Sequence, residues 1–147
     1  MALRTLIVVL ALTALTAACG SGEDRPGSGG SASGSVSGVA PKAEFDKADA
    51  TTTADVQAVD YAYTGLPASV QGPNVYFTVK NTGHTEHEFE VVGADGEPVS
   101  EIPAFGVNET KTLAVKLAPG TYTVQCLIKE GSKTHAELGM KATLAVT

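Results

Sequence analysis

Four side chains in the second half of this 147-residue chain carry the softest donor chemistry it contains: His87, Cys126, His135 and Met140. Two imidazoles, one thiolate and one thioether are the combination that favours copper, with His₂Cys in a trigonal plane and a weak axial Met. Each has an ordinary structural use as well. A buried Cys is a small hydrophobe, a Met fills gaps in cores, and a His opens many strands. What sets these four apart is their placement. Cys126 shares a strand face with Tyr122 and Val124, His87 with Phe89 and Val91, and Met140 has the parity of Ala142, Leu144 and Val146. An exported chain also seldom keeps an unpaired Cys.

These residues need strands to hold them. Asn74 to Lys80 alternates Val75, Phe77 and Val79 against Tyr76, Thr78 and Lys80, and stops at the turn residues Asn81-Thr-Gly83. Glu86 to Val92 alternates in the same way, as do Lys111 to Leu117, Thr121 to Leu127 and Lys141 to Val146. Asp55 to Tyr63 and a short stretch at Ser69-Val-Gln71 supply two more strands, with Gly65-Leu-Pro67 and Gly72-Pro73 as turns; residues 93–110 read mostly as loop. Short strands at this spacing, with no amphipathic helix, predict an all-β domain: an antiparallel Greek-key β-sandwich over residues 42–147.

The order of these pieces resembles the cupredoxin family, the small blue-copper proteins. Asn81-Thr-Gly83-His-Thr-Glu-His87-Glu-Phe89 is similar to the family's N-x-G followed by H-x-F. Pro119-Gly-Thr-Tyr122-Thr-Val-Gln-Cys126 is similar to its P-G-x-Y-x-x-x-C strand, and His135 to Met140 to its H-x4-M closing loop. The resemblance covers roughly residues 55 to 147. It implies one type 1 copper ion, with His87, Cys126 and His135 as equatorial ligands and Met140 axial. It further implies a one-electron carrier, not an enzyme, that meets a redox partner protein at a solvent-edge His135, with Phe89, Tyr122 and Val124 as candidates for the apolar shell around the sulfur. Two departures stand out. Residues 127–134 make the loop between Cys126 and His135 longer than is usual in the family, and Glu88 stands where many relatives carry Asn beside the sulfur, so the usual side-chain locking is expected to be lost.

The N-terminus carries a different message. One charge, Arg4, precedes the apolar run Leu6 to Leu15, which reads as a secretory signal peptide over residues 1–18, too short to span a bilayer. Thr16-Ala-Ala-Cys19 looks like a lipobox, so Cys19 is the expected lipidation site, leaving Cys126 as the free thiol of the mature chain. Residues 19–41, the lipidated Cys and a Gly/Ser-rich stretch, have too few apolar side chains to offset their ordering entropy and read as a flexible tether with a span of roughly 25 Å. The expected product is a monomer anchored to the outer face of a bacterial membrane, at the cell surface or in the periplasm.

A net charge of −6 leaves no basic surface for a polyanion, which excludes nucleic acid as a partner. No Ser/His/Asp arrangement, phosphate-binding glycine loop or close carboxylate pair supports hydrolysis or phosphoryl transfer. His84 reads as a solvated turn residue or a surface metal contact, and Glu86, Glu88 and Glu90 as a wet strand face or a docking surface for a cationic partner. Two other readings of the domain stay open: a module that stores or delivers metal without redox turnover, and a metal-free β-sandwich that binds other proteins.

Overall fold

Residues 44–147 are described by the computed structural model; the signal segment, Cys19 and the Gly/Ser-rich stretch lie outside them. Because apolar side chains recur at every second position, most of the chain has one face to bury, and it does so in strands. These are β1 (Thr52–Val59), β2 (Ala62–Thr64), β3 (Ser69–Val70), β4 (Asn74–Asn81), β5 (His87–Val92), β6 (Pro98–Phe105), β7 (Thr110–Lys116), β8 (Gly120–Gln125), β9 (Lys129–Glu130), β10 (Lys133–Thr134) and β11 (Lys141–Val146). Among the described residues the only helix is a single 3-10 turn at Lys47–Asp49.

Two sheets form, in the orders β2-β1-β4-β7 and β3-β11-β8-β5-β6, with β9 and β10 as a separate hairpin. The first contributes Val56, Ala58, Val75, Phe77, Val79, Leu113 and Val115 to the core; the second contributes Phe89, Val91, Ile102, Val124, Leu144 and Val146. Phe77 and Phe89 meet across the interior with centroids 5.1 Å apart. Removing a Phe ring from water contributes about 2–3 kcal/mol, so this pair is a main tie between the sheets.

Two expectations are corrected. The sheets are mixed, not purely antiparallel: β1 runs parallel to β4, and β11 parallel to β3. Residues 60–73 carry the chain through β2 and across to β3 before it returns at the end where β1 began, and a crossover of about a dozen residues makes a parallel pair possible. Residues 93–110 are also not mostly loop, since β6 pairs along β5 at the sheet edge. Its pattern escapes the alternation rule because Pro98 and Pro103 interrupt it and only Ile102 and Phe105 are buried. Proline is tolerated in such edge strands.

Parallel pairing places the ends of β1 and β4 side by side, with Ala58 opposite Asn81. The turns that follow, at Asp60 and at Thr82 to Glu86, are therefore neighbours at one end of the sandwich, and Thr82 N–H donates to Ala58 O across the gap.

Candidate metal centre

Ligand-capable atoms of His87, Cys126 and His135 lie within 4.8 Å of one another in the interior, at the end of the sandwich where those turns meet. The two Nδ1 atoms are 3.3 Å apart, and Cys126 Sγ is 3.4 Å from His135 Nδ1. Cys126 is the free cysteine of the described residues.

His87 arrives from the β4–β5 turn. Asn81, fully buried, donates through Nδ2 to Thr85 O and Phe105 O and accepts Gly83 N–H at Oδ1, which closes the turn around one side chain. Buried amides need such satisfaction. The turn then feeds β5 with His87 facing inward. Opposite Glu88 the β5–β6 register shifts, and irregularities of this kind re-aim groups beside functional sites. Glu88 N–H donates to Cys126 Sγ at 3.4 Å. The expected loss of side-chain locking at Glu88 does not occur: its carboxylate accepts Leu127 N–H and ties β5 to the residue after the cysteine.

Cys126 follows directly on β8. Lys141 pairs with Gln125, and Cys126 N–H donates to Met140 O, so Met140 lies opposite Cys126 on the buried face. That register puts the thioether and the thiol on cross-strand neighbours.

The long loop returns His135 by local bonding. Its extra residues form the β9–β10 hairpin, whose two-residue turn places Gly131 at φ +61°, as a type II′ turn requires at its first position. His135 N–H then donates to Ile128 O, and Ala136 N–H to Cys126 O, so the backbone after the hairpin rejoins the backbone beside the cysteine. Thr134-His-Ala-Glu137 is a capping box: Thr134 Oγ1 accepts Glu137 N–H, and the Glu137 carboxylate accepts Thr134 N–H. The turn closes at Gly139, φ +122°, with Met140 N–H on His135 O and Gly139 N–H on Ala136 O, the bond pair of a Schellman motif. One helical turn thus spaces His135 from Met140.

The expectation of a solvent-edge histidine is corrected. His135 is 1% exposed. The Tyr61 ring stands edge-on to it, centroids 4.9 Å apart, and the Glu130 carboxylate, which accepts the Tyr61 hydroxyl, lies 3.9 Å from His135 Nε2. Tyr122 is also not in the shell of the sulfur. It sits four residues up β8, about 13 Å away by strand rise, with its hydroxyl on Ala118 O beyond the start of the strand. Phe89 and Val124 are buried as expected. His84 is 95% exposed in its side chain and bonds Asp60, without joining the cluster.

Asp60, which no sequence motif marks, is the residue the sequence reading missed. Its Oδ1 lies 3.0 Å from His87 Nε2, and its oxygens accept the backbone N–H of His84 while Oδ2 lies 2.7 Å from His84 Nδ1. The bond with the His84 side chain, more than any other influence, holds the Asp60 carboxyl below the ordinary carboxylate range.

The donor set fits a soft cation. The Asp60 carboxylate, which only accepts, faces His87 Nε2, while His87 Nδ1 faces the cluster. Burial first, and the neighbouring His87 second, lower the His135 pKa and favour neutral imidazole. Burial raises the Cys126 pKa, an effect partly offset by the N–H groups of Glu88 and Ile128. Nitrogen and sulfur donors converge here in the interior, and separations of 3.3 and 3.4 Å suit bonds of about 2.0–2.3 Å to one ion. Thiolate with imidazole is the chemistry of copper and zinc sites.

No protein-family model matches the chain, and no curated protein matches it. Solved structures do. Auracyanin B aligns with a TM-score of 0.58 and 19% identity over 74% of this chain and 96% of its own. Auracyanin A, a "blue" copper protein from the green thermophilic photosynthetic bacterium Chloroflexus aurantiacus, aligns at 0.51 with 18% identity over 65% and 98%. Rusticyanin from Thiobacillus ferrooxidans, a copper protein, aligns at 0.53 with 19% identity over 65% and 77%. At these identities the likeness is one of fold: residues 44–147 adopt the cupredoxin fold of the small blue-copper proteins.

Proposed function

We propose that the domain binds one copper ion through His87 Nδ1, Cys126 Sγ and His135 Nδ1, with Met140 as the weak fourth donor, and serves as a one-electron carrier outside the cytoplasm. The observation that carries this reading is the buried convergence of two imidazole nitrogens and a thiol on a cupredoxin fold. Bound copper supplies a one-electron couple between Cu(II) and Cu(I). The chain's part is to hold the donors still. Asn81 and the capping box fix the two imidazoles from opposite sides, and the N–H groups of Glu88 and Ile128 stabilise negative charge on the sulfur. Phe89, Val124 and Met140 exclude water, so little reorganises as the charge changes. Coverage of His135 by Tyr61 and Glu130 favours a resident ion over one handed on, which argues for the carrier over the delivery module. Attachment through a lipidated Cys19 is the proposed tether, and a redox protein of the same compartment the proposed partner.

Adding Cu(II) to the purified protein tests the reading. An intense visible thiolate-to-copper band is expected, and Cys126→Ala should abolish it. Tight colourless binding would point to metal delivery instead, absence of binding to a metal-free interaction domain, and a band that survives the substitution would remove Cys126 from the site.

A further inference from the structure

We propose that Asp60 is the positioning residue of the centre: it holds His87 in the tautomer that turns Nδ1 toward the ion, and its charge favours the oxidised ion. This rests on the copper-binding reading above. His87 is fully buried, and among the described residues its Nε2 meets Asp60 Oδ1 at 3.0 Å. Without that acceptor the ring would either leave a buried N–H unpaired or move its proton to Nδ1, and an Nδ1–H cannot bind metal.

The contact is built, not incidental. Asp60 is itself gripped by the His84 backbone N–H and ring, and its side chain is only 24% exposed. Gly83 leaves room for it: a Cβ there would stand 2.3 Å from Asp60 Oδ1 and 2.6 Å from His87 Nε2, so no larger residue fits between them. Asp60 belongs to the β1–β2 turn and reaches His87 because β1 lies parallel to β4.

A neutral acceptor would fix the tautomer equally well. The carboxylate adds a negative charge at hydrogen-bond distance from a buried ligand ring, and the charge of such an outer partner tunes the ion that the ring holds. It attracts Cu(II) more than Cu(I). Asp60→Asn separates the two effects, since the amide oxygen still accepts Nε2–H but carries no charge.

The experiment measures Cu(II) and Cu(I) affinities of the unmodified protein, Asp60→Asn and His84→Ala, together with the ¹⁵N shifts of the His87 ring in the metal-free unmodified protein. Outer partners of metal ligands typically contribute about 10–100-fold in affinity. Asp60→Asn is expected to weaken Cu(II) binding by about tenfold or more with a much smaller loss for Cu(I), so that the potential rises. His84→Ala keeps the backbone N–H on Asp60 but removes the ring's bond to it, so it is expected to shift the ratio of the two affinities in the same direction as Asp60→Asn and by less. The ring shifts are expected to show Nε2–H. A ratio unchanged in Asp60→Asn, or an Nδ1–H tautomer, overturns the proposal even if the protein is blue. An unmodified protein that takes up neither ion overturns the copper reading, and this inference with it. Should Asp60→Asn fail to fold, the tautomer measurement still decides.

Discussion

The two arms of the centre are held by different means. The His87 arm depends on side chains brought from far along the chain: Asn81 reaches Phe105 O, Asp60 reaches the ring, and Tyr63 donates its hydroxyl to Glu88 O at 2.6 Å. The closing arm, Cys126 to Met140, draws its backbone shape from bonds within itself, in the hairpin, the capping box and the turn at Gly139, while Glu88 and Tyr61 bond it from elsewhere. A self-bonded segment can grow without moving its ends, because added residues enter the hairpin while the bonds from His135 and Ala136 back to Ile128 and Cys126 stay. An arm built from distant partners tolerates no such change. The hairpin of the long loop brings Glu130 beside His135, while the bonds from His135 and Ala136 hold the backbone next to the cysteine.

Substitutions can test that contrast. The largest effect is expected at Asn81, in the long-range arm. Asn81→Ala leaves Thr85 O, Phe105 O and Gly83 N–H without their partner, and a buried unsatisfied group costs about 1–3 kcal/mol, so a loss of about 3 kcal/mol in urea unfolding is expected. A loss below about 1 kcal/mol would show that the turn holds itself, and would erase the distinction between the arms.

Thr134→Ala strikes the local arm and should cost about 1 kcal/mol, the typical value of an N-cap. Its effect should stay local: hydrogen exchange is expected to speed at Glu137 and neighbouring amides of the closing turn, and to leave those of residues 81–89 unchanged. Equal acceleration in both arms would mean that they are coupled through the cluster.

Tyr63→Phe offers the subtlest test. Burial, above all, pushes the Tyr63 phenol far above its ordinary range, with the negative forms of Cys126 and of Glu88 and Glu90 adding to it. The folded state therefore keeps a proton that the unfolded chain releases near pH 10. Tyr63 thus contributes stability that is fully present below about pH 10 and is lost as pH rises beyond it. Urea midpoints between pH 9 and 11 should fall more steeply for the unmodified protein than for Tyr63→Phe, which loses about 1 kcal/mol at neutral pH. Parallel curves would place the tyrosine outside the titrating set.

Much of this was readable from residue order. Strands β4, β5, β8 and β11 announce themselves by period-two alternation, because each has one buried and one wetter face, whereas β7 buries Leu113, Ala114 and Val115 in a row. The same parity turns His87, Cys126 and Met140 inward. Edge strand β6 could not be read this way, since it packs few side chains and carries two prolines. Thr134-x-x-Glu137 is a cap signature present in the sequence, and it marks the start of the turn that carries His135. Asp60 has no signature at all.

By itself the sequence indicated the donor residue types and the inward parity of His87, Cys126 and Met140 on their strands, because alternation is a local property. Only the tertiary structure decided that β1 runs parallel to β4, that Asp60 meets His87 through the gap at Gly83, and that Tyr61 and Glu130 cover His135. Apart from Glu130, five residues before His135, those contacts join segments far apart in the chain, and their existence depends on strand order across the sheet, which no local pattern encodes.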